Sequence, residues 1–375
     1  MINYGKQNLN NEDKKSVLKV LGSDFLTQGN QIKIFEKNLI KKFGGKFCSV
    51  VNNGTSALNI IAKVLKWKKN DNIITTPLTF LATANCIVNN GSNPIFVDIN
   101  SNNYTIDPQR VEDVLKKKRV RAVIGVDYAG HPCDWLSLSY LSKKYNFVLI
   151  NDACHSLGTK LNGDIKYATK YSDFVTHSYH PVKAITTGEG GAIIVKDKKI
   201  DTQIKIIRNH NIVKKNFNKP WYYEIHEPGQ NYRITDFQCA LGISQLKRLE
   251  NFVSLRRNIA KIYDKHLIND ERFIIPHVEK KIYHSYHLYP LQINFKKIKL
   301  TKEQLFRKFK KKGINLQVHY IPIHLQPFYK KNLRHKKKQL FNCENFYEKE
   351  VSLPIYPTLD KKHIQKTINL LLSLR

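Results

Sequence analysis

The chain has 375 residues, 41% of them hydrophobic, and a formal net charge of +33. That length is enough for a large core and two domains, and the hydrophobic content is ordinary for a globular protein. The charge invites a nucleic-acid reading, but three features weigh against one. The lysines are scattered along the whole chain, asparagine and isoleucine are also abundant, and no helix-turn-helix, zinc-finger or ribonucleoprotein motif occurs. A low-GC coding bias gives the same composition. What the charge does offer is attraction for polyanionic small molecules, with weak nonspecific nucleic-acid binding at low salt. The six cysteines, at 48, 86, 133, 154, 239 and 343, form no CxxC or Cys/His cluster. No metal site is therefore expected, and reduced, mostly buried thiols in a cytoplasmic protein fit best. Met1-Ile2-Asn3-Tyr4-Gly5 carries no apolar signal core, and no apolar run is long enough to cross a membrane.

In chain order, Asn11-Glu12-Asp13 opens a helical pattern with Val17, Leu18 and Leu21 on one face. Ile32, Phe35, Leu39 and Phe43 repeat the helical spacing. Phe47 to Val51 reads as a buried strand running through Asn52-Asn53-Gly54 into a helix that faces Leu58, Ile61 and Leu65 inward. Strand-like runs recur at Asn72–Thr76, Pro94–Ile99, Arg121–Asp127 and Phe147–Asp152, with helical stretches near 80–90, 107–117 and 134–145. Two more strand-like runs, Asp173–Ser178 and Ala192–Val195, flank a glycine-rich turn. This alternation predicts an α/β fold with a largely parallel sheet covered on both faces. Its chemistry is expected beyond the carboxyl ends of the strands. After about residue 250 charged helical patterns alternate with short segments such as Tyr286–Pro290 and Asn315–Tyr320. The reading is a large domain over 1–250, with an N-terminal arm, and a smaller C-terminal α/β domain over 251–375. Lysine runs such as His335-Lys336-Lys337-Lys338 read as exposed faces.

Several residues at the strand ends could carry chemistry. Lys183 lies between the two flanking strands, with Ser178 five residues before it and Gly188-Glu189-Gly190-Gly191 after it. Most lysines in such a chain are solvated surface charges, but this context suits one amine presented to an aldehyde. Gly54-Thr55-Ser56, between strand and helix, offers free N–H groups and hydroxyls to a phosphate, or simply caps the helix. The Walker pattern is absent, which disfavours a nucleoside triphosphate on a P-loop. Asp152 ends an apolar strand and suits a metal ligand, a base, a cap or the partner of a pyridine nitrogen. His155 could lie on the same side of the following turn, or be an ordinary half-buried histidine. Phe80 is either core or a ring that stacks on a cofactor. Asn231 and Arg233 could serve a phosphate or carboxylate, or belong to a polar loop.

Taken in order, Asp152-Ala153-Cys154-His155, Ser178-Tyr179-His180-Pro181-Val182-Lys183, Gly188-Glu189-Gly190-Gly191 and Asn231-Tyr232-Arg233-Ile234-Thr235-Asp236-Phe237-Gln238 resemble the nucleotide-sugar aminotransferases of the DegT type (DegT/DnrJ/EryC/StrS). The resemblance runs from Leu26-Thr27-Gln28-Gly29 to Ser352-Leu353-Pro354. It implies the aspartate-aminotransferase-like fold, fold type I of the pyridoxal 5'-phosphate (PLP) enzymes. By resemblance Lys183 binds the cofactor covalently and then moves the proton. Asp152 pairs with the pyridine nitrogen, His155 lies beside the ring and Phe80 stacks on it. Gly54, Thr55, Ser56 and Ser178 hold the phosphate, with Asn231 reaching in from a partner subunit. Tyr4, Asp24, Phe25, Leu26, Thr27, Gln317, Val318, His319 and Tyr320 form the sugar-nucleotide side. Many family members carry glutamine at the position of His155. Some relatives that replace the lysine by histidine become dehydratases, so Lys183 argues for transamination.

The implied reaction takes an amino group from glutamate, releasing 2-oxoglutarate, and places it on C4 of a UDP-linked 4-keto-6-deoxy-N-acetyl sugar. A C4 or C3 aminotransferase for another UDP-, dTDP- or GDP-keto sugar is the alternative, because a few loop contacts read sugar stereochemistry. A basic nucleic-acid-binding protein with the fold but without catalysis is the rival from another class. A homodimer with shared active sites is expected, and neither a membrane nor a specific nucleic acid is an expected partner.

Overall fold

The alternating apolar runs build a seven-stranded sheet in the computed structural model, which describes residues 1–214, 218–333 and 340–374. The lysine run at 335–338 lies outside the described residues. The strands are β1 (Phe47–Val51), β2 (Asn72–Thr75), β3 (Asn93–Phe96), β4 (Ala122–Val126), β5 (Val148–Asp152), β6 (Phe174–Ser178) and β7 (Gly191–Val195). Their order across the sheet is β1-β7-β6-β5-β4-β2-β3. Only β7 runs antiparallel to its neighbours. β1 and β4 to β7 are buried almost throughout, as a sheet covered on both faces requires. The run read as Pro94–Ile99 leaves the sheet at Phe96. It turns there because Asp98 is committed elsewhere: its carboxylate accepts from the N–H groups of Asn342 and Cys343.

The covering helices include α1 (Asn11–Leu21), α2 (Asn30–Phe43), α3 (Gly54–Val64), α4 (Leu81–Asn89), α5 (Pro108–Leu115), α6 (Trp135–Tyr145), α7 (Lys198–Arg208) and α8 (Asp236–Lys247). The expected inward face of α2, Ile32, Phe35, Leu39 and Phe43, is buried. The expected face of α1 is not: Leu18 and Leu21 are exposed, and the buried residues are Asp13 and Val20. The reason is polar anchoring, because Asp13 pairs with Arg248 and accepts from Gln245 Nε2 at 2.7 Å. This pins α1 to α8 by the face that carries the acid and leaves the leucines outside.

Beyond α8 the chain forms α9 (Leu249–Leu267), α10 (Lys302–Lys311), α11 (Lys361–Leu372) and a sheet of β8 (Phe273–Ile274), β9 (Tyr289–Ile293) and β10 (Glu350–Leu353). An apolar cluster built on Ile259, Tyr263, Tyr289, Leu291, Phe309, Val351 and Ile368 fills this part, and Ile2 joins it. Ile2 N donates to Gly313 O at 2.7 Å and Asn315 N returns a bond to Ile2 O at 2.7 Å. The N-terminal segment is thereby stitched to the C-terminal part, which carries Tyr4 to the strand-end side of the large sheet. Among the described residues no helix is long and apolar enough to cross a membrane. All six cysteines are unpaired.

Candidate active site

Sheet register brings the chemistry together. Val126 pairs with Asp152, Asp152 with Thr176, and Gly191 with both Ser178 and Val51. Beyond this edge lies a cavity of about 650 Å³. Lys183, Asp152, His155, Gly54, Thr55, Phe80, Ser178, Tyr4 and Gln317–Tyr320, all singled out in the sequence, lie on its wall.

One wall is the start of α3. Asn53 caps that helix by accepting from Ser56 N at 2.8 Å. Gly54 sits where the chain passes β6, and a Cβ there would meet Ser178 Cβ at 3.0 Å and Cys154 Sγ at 3.3 Å. Gly191 is equally constrained, since its Cβ would lie 2.6 Å from the Asn53 carbonyl carbon. The two glycines let the helix terminus and its unpaired N–H groups stand open to the cavity, where the dipole favours an anion. Thr55 and Ser178 add hydroxyls. Ser56 is buried behind this wall and does not line it.

Asp152 is buried at the end of β5. Thr83 Oγ1 donates to its Oδ2 at 2.7 Å and Cys154 N approaches Oδ1 at 3.3 Å. Since the Thr83 proton is used there, Thr79 Oγ1 is the donor in the 2.8 Å contact with Thr83 Oγ1. Among the described residues Asp152 makes no ion pair. A buried carboxylate held by neutral donors is suited to a cationic partner.

Lys183 follows a turn closed by its N–H to His180 O at 2.9 Å. The loop beyond is fixed from within: Thr186 Oγ1 donates to Tyr179 O at 3.0 Å, and Gly188 N donates to Thr186 Oγ1 at 2.9 Å. Gly188, at φ +80°, takes the left-handed turn that glycine allows without strain. The Lys183 amine pKa lies below the usual lysine value because burial disfavours its charge, while Cys154 and Asp152 oppose the shift. Burial raises the Cys154 thiol well above its ordinary value. It therefore stays neutral, and Asp152 is the countercharge that operates.

His155 Nδ1 accepts from Ala129 N at 3.3 Å. Burial, with Lys183 and His319 nearby, holds its pKa well below the ordinary value. The neutral ring therefore carries its proton on Nε2, which donates to Tyr320 Oη at 3.0 Å. The Tyr320 hydrogen is left for another acceptor. His287 packs against His155 with ring centroids 4.3 Å apart. Phe80, 53% exposed, stands at the mouth with its ring 6.0 Å from Tyr320. Tyr4 lies 5.0 Å from the His319 ring.

Asp24, Phe25, Leu26, Thr27, Asn231 and Arg233 do not line this cavity. Thr27 bridges to Thr235, and Asp236 N donates to Leu26 O at 2.9 Å. Asp236 in turn accepts from Gly29 N at 2.7 Å and Gln31 N at 2.9 Å. Asn231 Oδ1 is held by Arg233 N at 3.0 Å, and Arg233 Nη1 donates to Asn209 Oδ1 at 2.5 Å. Phe25 and Leu26 are exposed.

Sequence reasoning gave no role to Thr79, Thr83 or His287. The threonines were detectable in principle, lying four residues apart at a helix start beside Phe80. His287 lies in a segment with no periodic signal.

The model of the DegT/DnrJ/EryC1/StrS aminotransferase family matches residues 7–372. The chain is 38% identical over 373 residues to the UDP-4-amino-4,6-dideoxy-N-acetyl-beta-L-altrosamine transaminase of Campylobacter jejuni, covering 98% of this chain and 96% of the relative. Among solved structures it is similar to Helicobacter pylori PseC, an aminotransferase involved in the biosynthesis of pseudoaminic acid. That match has a TM-score of 0.92 and 32% identity, covering 100% of this chain and 98% of the other. The PLP form of the putative sugar aminotransferase Spr1654 from Streptococcus pneumoniae aligns with a TM-score of 0.87 at 25% identity, over 98% of this chain and 96% of that one.

Proposed function

The chain belongs to the DegT/DnrJ/EryC1/StrS aminotransferase family, and from this we propose that it moves the amino group of glutamate to C4 of a UDP-linked 4-keto-6-deoxy-N-acetyl sugar. The product is UDP-4-amino-4,6-dideoxy-N-acetyl-β-L-altrosamine, an amino sugar of pseudaminic acid biosynthesis. The observation that carries the reading is the juxtaposition of one amine, Lys183, with one buried carboxylate, Asp152, beside an anion-ready helix terminus in the same cavity.

The residues present fit pyridoxal 5'-phosphate. The open start of α3 with Thr55 and Ser178 suits its phosphate, and the unpaired Asp152 carboxylate suits its protonated ring nitrogen. When bound, that cofactor supplies an electron sink for the substrate carbon and carries the amine between donor and acceptor. The rest is done by the chain. The depressed pKa of Lys183 raises the share of neutral amine, which can attack a carbonyl and accept a proton. Asp152, steadied by Thr83, holds the opposing charge. His155 and Tyr320 would offer the cofactor a hydrogen-bond donor, and Phe80 stands at the cavity mouth. Tyr4 and Gln317–Tyr320 contact the sugar nucleotide. Assays with glutamate and a panel of nucleotide-linked 4-keto and 3-keto sugars test the substrate. We expect the UDP-linked 4-keto-6-deoxy-N-acetyl sugar to exceed the others in kcat/KM by ~10-fold or more. Equal or better turnover of a dTDP- or GDP-linked sugar would overturn the assignment of substrate while leaving transamination intact.

The enzyme works as a cytoplasmic homodimer with shared sites. The cytoplasmic reading is supported by six unpaired thiols. The shared site is supported by the placement of Asp24–Thr27 and of Asn231 off the wall of the chain's own cavity. In a two-fold dimer both segments reach the partner's cavity together. Mixing inactive Lys183→Ala with inactive Asn231→Ala protein should restore about a quarter of wild-type activity, from one intact site per hybrid dimer. No recovery after subunit exchange would refute the sharing.

A further inference from the structure

Glu350 and Ser352 stand two residues apart on β10, so their side chains leave the same face of the strand. Both are buried. Ser352 Oγ lies 2.5 Å from Glu350 Oε1 and 2.8 Å from Nδ1 of His319. The His319 backbone N–H donates to Glu350 Oε2 at 3.0 Å. His319 forms part of the cavity wall. A buried carboxyl, a hydroxyl and an imidazole thus run in line from the interior to the cavity, and Nε2 is the ring nitrogen left for whatever the cavity holds.

We propose that Glu350, Ser352 and His319 form a one-proton relay that sets whether His319 offers the cavity a hydrogen-bond acceptor or a donor. With Glu350 ionised, Ser352 donates to the carboxylate and accepts from Nδ1–H, so Nε2 presents a lone pair. With Glu350 protonated, the carboxyl donates to Ser352, Ser352 donates to Nδ1, and the ring proton sits on Nε2. A proton arriving at Nε2 therefore releases one from Nδ1 to Ser352, and Ser352 passes its own to Glu350. One proton enters, one is stored, and no charge rests on the ring. Two environmental facts favour this passage. Burial and Lys183 lower the His319 pKa to about 3, so the doubly protonated ring is avoided. Burial raises Glu350 to about 8, with its hydrogen bonds from Ser352 and His319 and the nearby Lys302 opposing.

On the cavity side the groups bearing on His319 are Lys183, His155 and His287, and burial lowers the pKa of both histidines well below the ordinary value. Lys302, at the start of α10, donates to Tyr347 O rather than to Glu350. Tyr128 donates to His319 O. Tyr4 packs on the His319 ring, and Tyr320 follows in the chain. Gln292, opposite Glu350 in the sheet, is neutral and donates to Tyr104 Oη at 2.9 Å. Under the transaminase reading the relay has a clear use. A ketone's oxygen leaves as water only after taking up a proton, which the relay supplies and regains when the reacting nitrogen loses its own. That use alone rests on the proposed function; the relay itself does not.

The test is the tautomer of His319 against pH in ¹⁵N-histidine-labelled holoenzyme, its resonances identified by their loss in His319→Gln. In the wild type His319 should change from Nε2–H to Nδ1–H as pH rises through about 8. In Glu350→Gln the amide donates permanently to Ser352, and the ring should stay Nε2–H at every pH. Ser352→Ala, a smaller change, should abolish the switch. Both variants should lose the same alkaline limb of the kcat–pH profile. A wild-type ring that never changes tautomer, or a switch that survives either substitution, overturns the relay. A switch seen in a protein that aminates no keto sugar leaves the relay standing and removes the function.

Discussion

Lys183→Ala is expected to lower kcat by ~10⁴-fold or more, because a single side chain would lose both its nucleophilic and its proton-transfer role. The discriminating control is Lys183→Arg. The sequence holds 63 lysines and arginines, and most serve as solvated charges. If Lys183 only supplied positive charge to bind an anion, arginine would serve nearly as well. A guanidinium does not give up its proton near neutral pH, however, so it can act neither as nucleophile nor as base. Both variants should therefore be equally inactive while keeping their fold. The lowered amine pKa fixes the sign of the pH dependence. Less alkaline conditions are needed to expose the neutral amine than for an ordinary lysine. Any alkaline variant that restores a titratable amine, such as Lys183→Cys treated with bromoethylamine, should recover part of the rate. Wild-type turnover in Lys183→Ala would remove the site.

Arg256→Met should destabilise the fold by about 2–4 kcal/mol in urea unfolding, the largest effect expected from a residue outside the cavity wall. Arg256, on α9, is 1% exposed and pairs with no carboxylate among the described residues. Its Nη1 donates to Ile355 O at 2.7 Å, His287 O at 3.2 Å and Tyr286 O at 3.3 Å, and its Nη2 donates to Val182 O at 3.3 Å. Burial lowers its pKa to about 10, so it remains charged near neutral pH. Two effects compete on substitution. Removing a buried charge relieves a desolvation penalty of several kcal/mol, but it leaves up to four carbonyls without a donor, each costing about 1–3 kcal/mol. The second prevails because the partners stay buried when the fork is gone. Arg256→Lys keeps the charge but cannot reach all four, and should fall between. Since Val182 precedes Lys183 and His287 packs on His155, the variants should also lose kcat. A change below about 1 kcal/mol would show that the carbonyls find other donors.

What the sequence made legible was what local pattern encodes. The strand-then-motif segments at Gly54, Asp152 and Ser178 were readable because a parallel sheet sends successive strand ends to one edge. The observed register does bring them there. Lys183 stood out because rigid strands bracket it. The features that were missed depend on contacts between distant parts of the chain. Arg256 meets Ile355 99 positions away, and His319 meets Ser352 33 positions away. Neither residue type nor spacing announces such partners. The inward face of α1 was misread for a related reason: Asp13, buried by Arg248, outweighs Leu18 and Leu21 in orienting the helix. Phe25 and Leu26 read as substrate contacts by resemblance, yet they stand exposed on a surface apart from the chain's own cavity. Under the proposed homodimer with shared sites, their role would need a second subunit in place.

The most direct test of the central claim is borohydride reduction of the yellow holoenzyme followed by peptide mass mapping. The account expects the colour to be lost and the cofactor's mass to be found on Lys183 alone, in the segment between β6 and β7. A colourless protein, or cofactor fixed to any other lysine, would contradict it.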